Sequence, residues 1–290
     1  MATLAMIDGR ILDPEDAKVS VFDRGFLYGD AVFETIRTYG GAPFALDRHL
    51  ERLSESAGRV YIELPVPLET LRSEVLKVVD AAGNAEAFIR IMITRGSGET
   101  LGLDPGLAKN PMYVVLVMPL EAPPASFYEQ GIKTISYRTQ RFADEADATG
   151  AKLVNYLISV LAMREARKAG AAEALILDRE GHVLEGSTSN VFLLEGRRLV
   201  TPPASAGILV GITRHFVLEL AREAGLSVEE RSVPLERLLR AEEALITSSI
   251  REVVPVVAVD GAPIGSGAVG PVARDLLRRF REKARNSVGL

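Results

Sequence analysis

Segments with a two-residue apolar repeat come first in this chain, two segments with helical spacing follow, and further two-residue repeats come after them. Single strands do not alternate with single helices. A doubly wound parallel sheet needs a crossover helix after nearly every strand, so this order favours an α+β layer. Residues 4–7 and 10–12 read as strands joined at Asp8-Gly9, a hairpin signal, and residues 31–39 as a longer strand ending at Gly40-Gly41. Leu46, Leu50 and Leu53 recur at helical spacing behind Asp47, a candidate N-cap, so residues 47–57 are expected to be helical with Arg48 and Arg52 on one face. A second helix over residues 68–82 stops at Gly83. Strands at 87–94 and 112–118 flank a glycine-rich loop, residues 95–106, long enough to expect function or mobility.

A length of 290 residues accommodates two cores. Residues 121–131 contain Pro123-Pro124 and no periodic pattern, and read as a linker between a small N-terminal α+β domain, residues 1–120, and a larger domain, residues 132–290. The second domain is expected to open on a strand at 133–137. A helix at 152–168 follows, with Lys152 and Tyr156, four residues apart, on one side of it. Strands at 174–177, 182–185, 190–194 and 199–201 lead to a helix that starts at Ile212 or Thr213 and stops at Gly225. Strands at 228–232, 244–247 and 253–259 and a closing helix at 269–284 complete the pattern.

A net charge of -5 gives no electrostatic footprint for nucleic acid or an anionic membrane surface. The chain has no cysteine, which excludes disulfides, thiolate metal sites and a cysteine nucleophile. His49, His182 and His215 lack metal-ligand spacing and read as structural or surface histidines, so no metal is expected. Neither a signal segment nor a run of apolar residues long enough to span a bilayer is present in the sequence, and a cytoplasmic protein is the expectation.

Residues 185–214 concentrate the chemistry. Glu185 leaves a strand and suits a positive charge, and the N–H groups of Ile212 and Thr213 at a helix N-terminus behind Gly211 suit a phosphate. A ligand that is cationic at one end and phosphorylated at the other fits both, and pyridoxal 5'-phosphate is such a ligand. It also requires a lysine as its covalent anchor. There are seven lysines, and Lys152 lies at the start of the amphipathic segment that leads into this stretch.

The acid Glu185, then Ser189 and Asn190-Val191-Phe192, Thr201 and Gly211-Ile212-Thr213-Arg214 resemble, at matching spacings, the signature of the class IV (fold type IV) aminotransferases. Lys152-Leu153-Val154-Asn155-Tyr156 resembles that family's anchoring segment. The resemblance covers about residues 5–280. It implies an α+β fold of two domains, a small α/β sandwich and a pseudo-barrel, and a homodimer. Lys152, Glu185 and Tyr156 are implied as catalytic residues. Arg52, Ser189, Asn190, Gly211, Ile212, Thr213, Ser248 and Ser249 are implied to join them in holding the cofactor.

For substrates, an amino acid and a 2-oxo acid, the resemblance points to Tyr28, Phe33, Thr35, Arg37, Phe88, Arg90 and Ile250. Tyr28-Gly29 and Phe33-Glu34-Thr35-Ile36-Arg37 with Tyr39 are similar to the branched-chain aminotransferase pattern, except that Thr35 replaces a glycine and Phe88 a tyrosine. D-amino acid aminotransferases carry an Arg-x-His trap where this chain reads Gly96-Ser97-Gly98-Glu99-Thr100-Leu101, and aminodeoxychorismate lyases carry threonine in place of Glu34. An L-branched-chain or aliphatic donor with 2-oxoglutarate as acceptor is therefore expected. D-amino acid or (R)-amine transamination and 4-amino-4-deoxychorismate cleavage are the alternatives.

Overall fold

A computed structural model describes residues 2–139 and 148–289. The chain forms two compact units, one of Met1–Glu121, Ala151–Asn155 and Ala284–Leu290, the other of Ala122–Gly150 and Tyr156–Lys283.

The sheet of the first unit runs Arg10–Leu12, Leu4–Ile7, Met112–Pro119, Ala87–Thr94, Ala31–Tyr39, Ala42–Pro43, every neighbouring pair antiparallel. Strand side chains alternate between faces. Val32, Ile36, Ile89, Ile91, Ile93, Val115 and Val117 therefore share one face, where they pack on Leu50 and Leu53 of the helix Leu46–Arg59 and on Leu71 and Val75 of the helix Leu68–Ala82. The opposite face carries Phe33, Thr35 and Arg37 beside Phe88 and Arg90, with Thr35 facing Arg90 and Arg37 facing Phe88 in register. One face of the sheet thus makes the core, and the other is left for polar and aromatic work.

Lys152 departs from expectation. The helix begins at Leu157, with Tyr156 as its N-cap, so Lys152 and Tyr156 do not share a helix face. Residues 152–154 are extended and add to the sheet: Phe33 N–H donates to the Lys152 carbonyl and Val154 N–H to the Ala31 carbonyl, both at 3.0 Å, around an antiparallel bridge of Leu153 with Val32. The short strand Ala42–Pro43 pairs only with Thr38 and Tyr39, so the start of Ala31–Tyr39 is an open edge whose backbone groups need partners. Satisfying that edge outweighs one more turn of helix. Ser56 fixes the segment further by accepting a 3.1 Å bond from the Lys152 N–H.

Smaller differences have similarly local causes. Ala45, at φ 53°, is the N-cap of the first long helix, which makes Asp47 a first-turn acid. The glycine-rich loop contains a ladder of Ser97–Gly98 with Ala108–Lys109 and a 3-10 turn at Pro105–Leu107. Arg24, buried in the short helix Arg24–Tyr28, ties that loop from inside by donating to the carbonyls of Gly102 (2.7 Å) and Leu103 (3.2 Å), while Asp30 takes Arg24 at 2.8 Å and Arg95 in a fork at 2.8 and 2.9 Å. Burial alone would raise the Asp30 carboxyl, but these two guanidinium groups outweigh it and hold it below its ordinary range.

In the second unit the sheet runs Ser227–Glu230, Arg198–Thr201, Asn190–Glu195, Glu243–Ser248, Glu252–Val259, Ile132–Arg138, Glu173–Leu177, His182–Gly186, Val233–Pro234, with Ala262–Pro263 also on Glu252–Val259. It is mixed, because Ile132–Arg138 is parallel to both of its neighbours and Arg198–Thr201 is parallel to Ser227–Glu230. Leu175, Val191, Leu193, Val200, Ile246 and Val254 fill its core, and Ala162 and Ala166 of the helix Leu157–Lys168 pack on Ala174 and Ile176. No helix among the described residues is long and apolar enough to cross a membrane.

Candidate active site

In the first unit the extended segment delivers the Lys152 amine 4.6 Å from the centre of the Phe33 ring. The Arg90 guanidinium lies 4.3 Å from the same centre and 5.6 Å from that of Phe88. An amine and a guanidinium thus meet around one aromatic ring, a combination suited to holding a carboxylate beside a reactive nitrogen. Arg37 is turned to a neighbour, pairing with Glu86 at 2.6 Å over the Tyr39 ring. The Tyr28 hydroxyl accepts from the Gly102 N–H at 3.2 Å, which puts it on the glycine-rich loop.

Arg52 engages a buried acid. Its Nε and Nη2 donate to the two carboxylate oxygens of Glu34, each at 2.7 Å, and His49 Nδ1 meets Glu34 Oε2 at 2.7 Å. Burial by itself pushes the Glu34 carboxyl up, yet the Arg52 charge and the His49 and Arg52 hydrogen bonds prevail and bring it to about 2. Burial lowers the His49 imidazole from its ordinary value against the pull of Glu34. The sequence reading passed over Glu34 as a positioning group, although a signal was present: the alternation of strand 31–39 puts it on the same face as Val32 and Ile36, where an apolar residue belongs.

In the second unit Glu185, 9% exposed, ends the strand His182–Gly186, and its Oε2 accepts from the Leu209 N–H at 3.1 Å. Asn190 donates from Nδ2 to the Leu209 carbonyl at 2.7 Å. The two side chains hold the turn that enters the helix Ile212–Glu223. Gly211 is its N-cap without a side-chain cap, and any Cβ there would strike Asn190 Oδ1. Thr213 is buried in the first turn of this helix. Ser248 ends a strand and accepts from the Arg251 N–H at 3.2 Å, with Ser249 and Ile250 in the turn between them. Behind that turn Arg251 pairs with the buried Glu173, which also takes the Ser187 hydroxyl, and donates to Thr188 at 2.8 Å.

Two hydroxyls in this region, Ser189 Oγ and Thr247 Oγ1, are buried without a hydrogen-bond partner among the described residues. Thr247 lies opposite Asn190 in the sheet, and sequence reasoning did not single it out. Buried polar groups are normally paired, so hydroxyls of this kind near an uncapped helix N-terminus suit a polar ligand.

Residues 31–259 match the family profile described as Amino-transferase class IV. The chain belongs to the class IV aminotransferases. Within them it is 40% identical over 276 residues to a Methanocaldococcus jannaschii protein provisionally named a branched-chain-amino-acid aminotransferase, covering 95% of this chain and 94% of that one. It is also 34% identical to the D-alanine aminotransferase of Bacillus licheniformis, covering 93% of each chain. The branched-chain amino acid aminotransferase of Escherichia coli superposes with a TM-score of 0.92 at 32% identity, covering 98% of this chain and 95% of that one. A further enzyme of that name, solved with pyridoxamine 5'-phosphate, superposes with a TM-score of 0.91 at 32% identity over 99% of this chain and 95% of that one. The α+β fold type IV architecture expected from the sequence is the one these aminotransferases share.

For a class IV aminotransferase the donor set is coherent. A buried carboxylate at Glu185, an uncapped helix N-terminus at Gly211 and the unpaired hydroxyls of Ser189 and Thr247 fit a phosphorylated heterocycle with a basic ring nitrogen.

Proposed function

We propose that the chain is a pyridoxal 5'-phosphate-dependent transaminase that moves an amino group from an aliphatic or branched-chain L-amino acid to a 2-oxo acid such as 2-oxoglutarate. The observation that carries the reading is the placement of Lys152 on the sheet edge, with its amine and the Arg90 guanidinium at one Phe33 ring. The cofactor, when bound, supplies an electron sink for the pair left on the substrate Cα as its proton departs. Lys152 Nζ would be the covalent anchor for the cofactor, and its free amine would take the proton from the substrate Cα and deliver it to the cofactor side rather than back to Cα. Glu185 keeps a proton on the ring nitrogen. Arg52, the N–H groups of Ile212 and Thr213 with the Thr213 hydroxyl, and Ser249 would hold the phosphate, and Ser189, Asn190, Gly211, Ser248 and Tyr156 would help to bind the cofactor.

Substrate preference is assigned to the open face of the first sheet and the turn at Ile250. Arg90 holds the carboxylate, Phe33 and Phe88 line an apolar wall, and Thr35 narrows the space beside them. The loop at residues 96–101 lacks the arginine and histidine of a D-specific carboxylate trap, which favours L-donors. Because an apolar pocket discriminates by only about 1–3 kcal/mol per methylene, a range of aliphatic donors is expected. The test compares kcat/KM for L-leucine, D-alanine and (R)-1-phenylethylamine with one keto acceptor. L-Leucine should lead; a higher value for either of the others replaces the branched-chain reading with a D-amino acid or (R)-amine one, and pyruvate release from aminodeoxychorismate replaces it with a lyase.

A homodimer belongs to the same proposal. Leu157, Val160 and Leu161 form an apolar stripe on the helix Leu157–Lys168 that is 68%, 59% and 38% exposed, a surface that suits a second copy. Sedimentation at micromolar concentration should give twice the chain mass, and a monomer would overturn this part of the reading.

A further inference from the structure

We infer that Glu34 and His49 are positioning residues for Arg52: they lock its guanidinium in a single orientation and thereby set the affinity for the phosphorylated cofactor. The inference rests on the proposed role of Arg52 as a phosphate ligand and deepens it.

Glu34 is fully buried on the helix-facing side of Ala31–Tyr39, among Val32, Ile36, Leu50 and Leu53. An ionised carboxylate in such a place is costly unless it is paired and hydrogen-bonded, so its presence needs a purpose beyond packing. Arg52 approaches it side-on through Nε and Nη2, a two-point contact that fixes the plane of the guanidinium as well as its position. His49 lies three residues before Arg52 on the helix Leu46–Arg59, hence on the same face, and closes the arrangement at Glu34 Oε2. With the imidazole neutral, Nδ1–H donates and the carboxylate cannot rotate away from Arg52. Strand, helix and arginine are thereby joined through one carboxylate, and Arg52 is presented already ordered.

Charge alone predicts the opposite outcome to positioning, which makes the inference testable. Removing a negative charge next to a phosphate-binding arginine should tighten binding of a dianion, whereas loss of the lock should weaken it. Apo protein is dialysed to equilibrium against pyridoxal 5'-phosphate and, separately, against pyridoxal, which lacks the phosphate. Glu34→Gln should weaken binding of the phosphorylated compound by about 10- to 100-fold, the range seen when partners that orient metal-binding side chains are removed. Its affinity for pyridoxal should stay that of the parent protein. His49→Ala should weaken phosphate-dependent binding in the same sense, and His49→Asn, which restores a donor near Nδ1, should recover part of it. That pair also serves if Glu34→Gln fails to fold. Unchanged or tighter binding of the phosphorylated compound, or equal weakening for both compounds, overturns the positioning role. Arg52→Ala is measured alongside: if it leaves the affinity unchanged, the phosphate reading of Arg52 fails, whereas weakening by Arg52→Ala without weakening by Glu34→Gln removes the positioning role alone.

Discussion

Replacing Lys152 by alanine is expected to abolish turnover and to leave no cofactor covalently attached. Its fold should survive, because alanine keeps the main-chain bonds of residue 152, the carbonyl with Phe33 and the N–H with Ser56. The Lys152 amine lies over the Phe33 ring, a contact worth about 0.5–2 kcal/mol that alanine gives up, and the two extensive cores are untouched by the change. Of the seven lysines, Lys152 is the one placed at the edge beside Phe33 and Arg90, so no neighbour is positioned to take over. Borohydride reduction of protein loaded with pyridoxal 5'-phosphate, followed by intact mass, reads the outcome: the parent gains the mass of one reduced cofactor and the variant gains none. A stable adduct in the variant would move the anchor to another lysine.

Glu185→Gln should lose several orders of magnitude in kcat while still binding the cofactor. Glutamine has nearly the same shape and keeps a carbonyl oxygen for the Leu209 N–H, so the turn leading to Gly211 remains held. On the proposed mechanism, what disappears is a negative charge that would stabilise a proton on the ring nitrogen. Without that proton the ring accepts electrons poorly, and each tenfold loss in rate corresponds to about 1.4 kcal/mol of barrier. Single-turnover rates with an amino donor, together with cofactor affinity by dialysis, separate this from a binding defect. Near-parent rates would mean that another acid serves the ring nitrogen.

What the sequence made legible was governed by neighbours along the chain. Alternation gave the strands at 31–39 and 87–94, and the glycines after the helices stand at positive φ, 63° for Gly83 and 76° for Gly225, where a left-handed residue ends a helix. Asp8 and Gly9 both lie at positive φ, as a two-residue hairpin requires. Glu185, Asn190 and Gly211 sit within one short stretch of sequence, and the fold brings them to one turn. Lys152 was misjudged in its local structure, since an amphipathic pattern favoured helix while an open strand edge more than a hundred residues earlier dictated extension. The grip of Glu34 on Arg52 and the pairing of Glu173 with Arg251 were hidden for the same reason: each joins residues whose meeting depends on the finished sheet. Local propensity is a weak prior wherever tertiary contacts satisfy the backbone better.

The extended segment at 152–154 has a consequence for how the chain is made. Every other strand of the first sheet, and both helices packed on it, precede Leu120 in the chain and are therefore synthesised before the lysine. Lys152 is made last, on the segment that pairs with the edge at residues 31–33. On the proposed mechanism, an N-terminal piece that stops before residue 151 carries Glu34 and Arg52 but not the anchoring amine. Cutting the gene after Glu121 would separate Lys152 from the strand Ala31–Tyr39 on which it pairs, although both belong to the same compact unit.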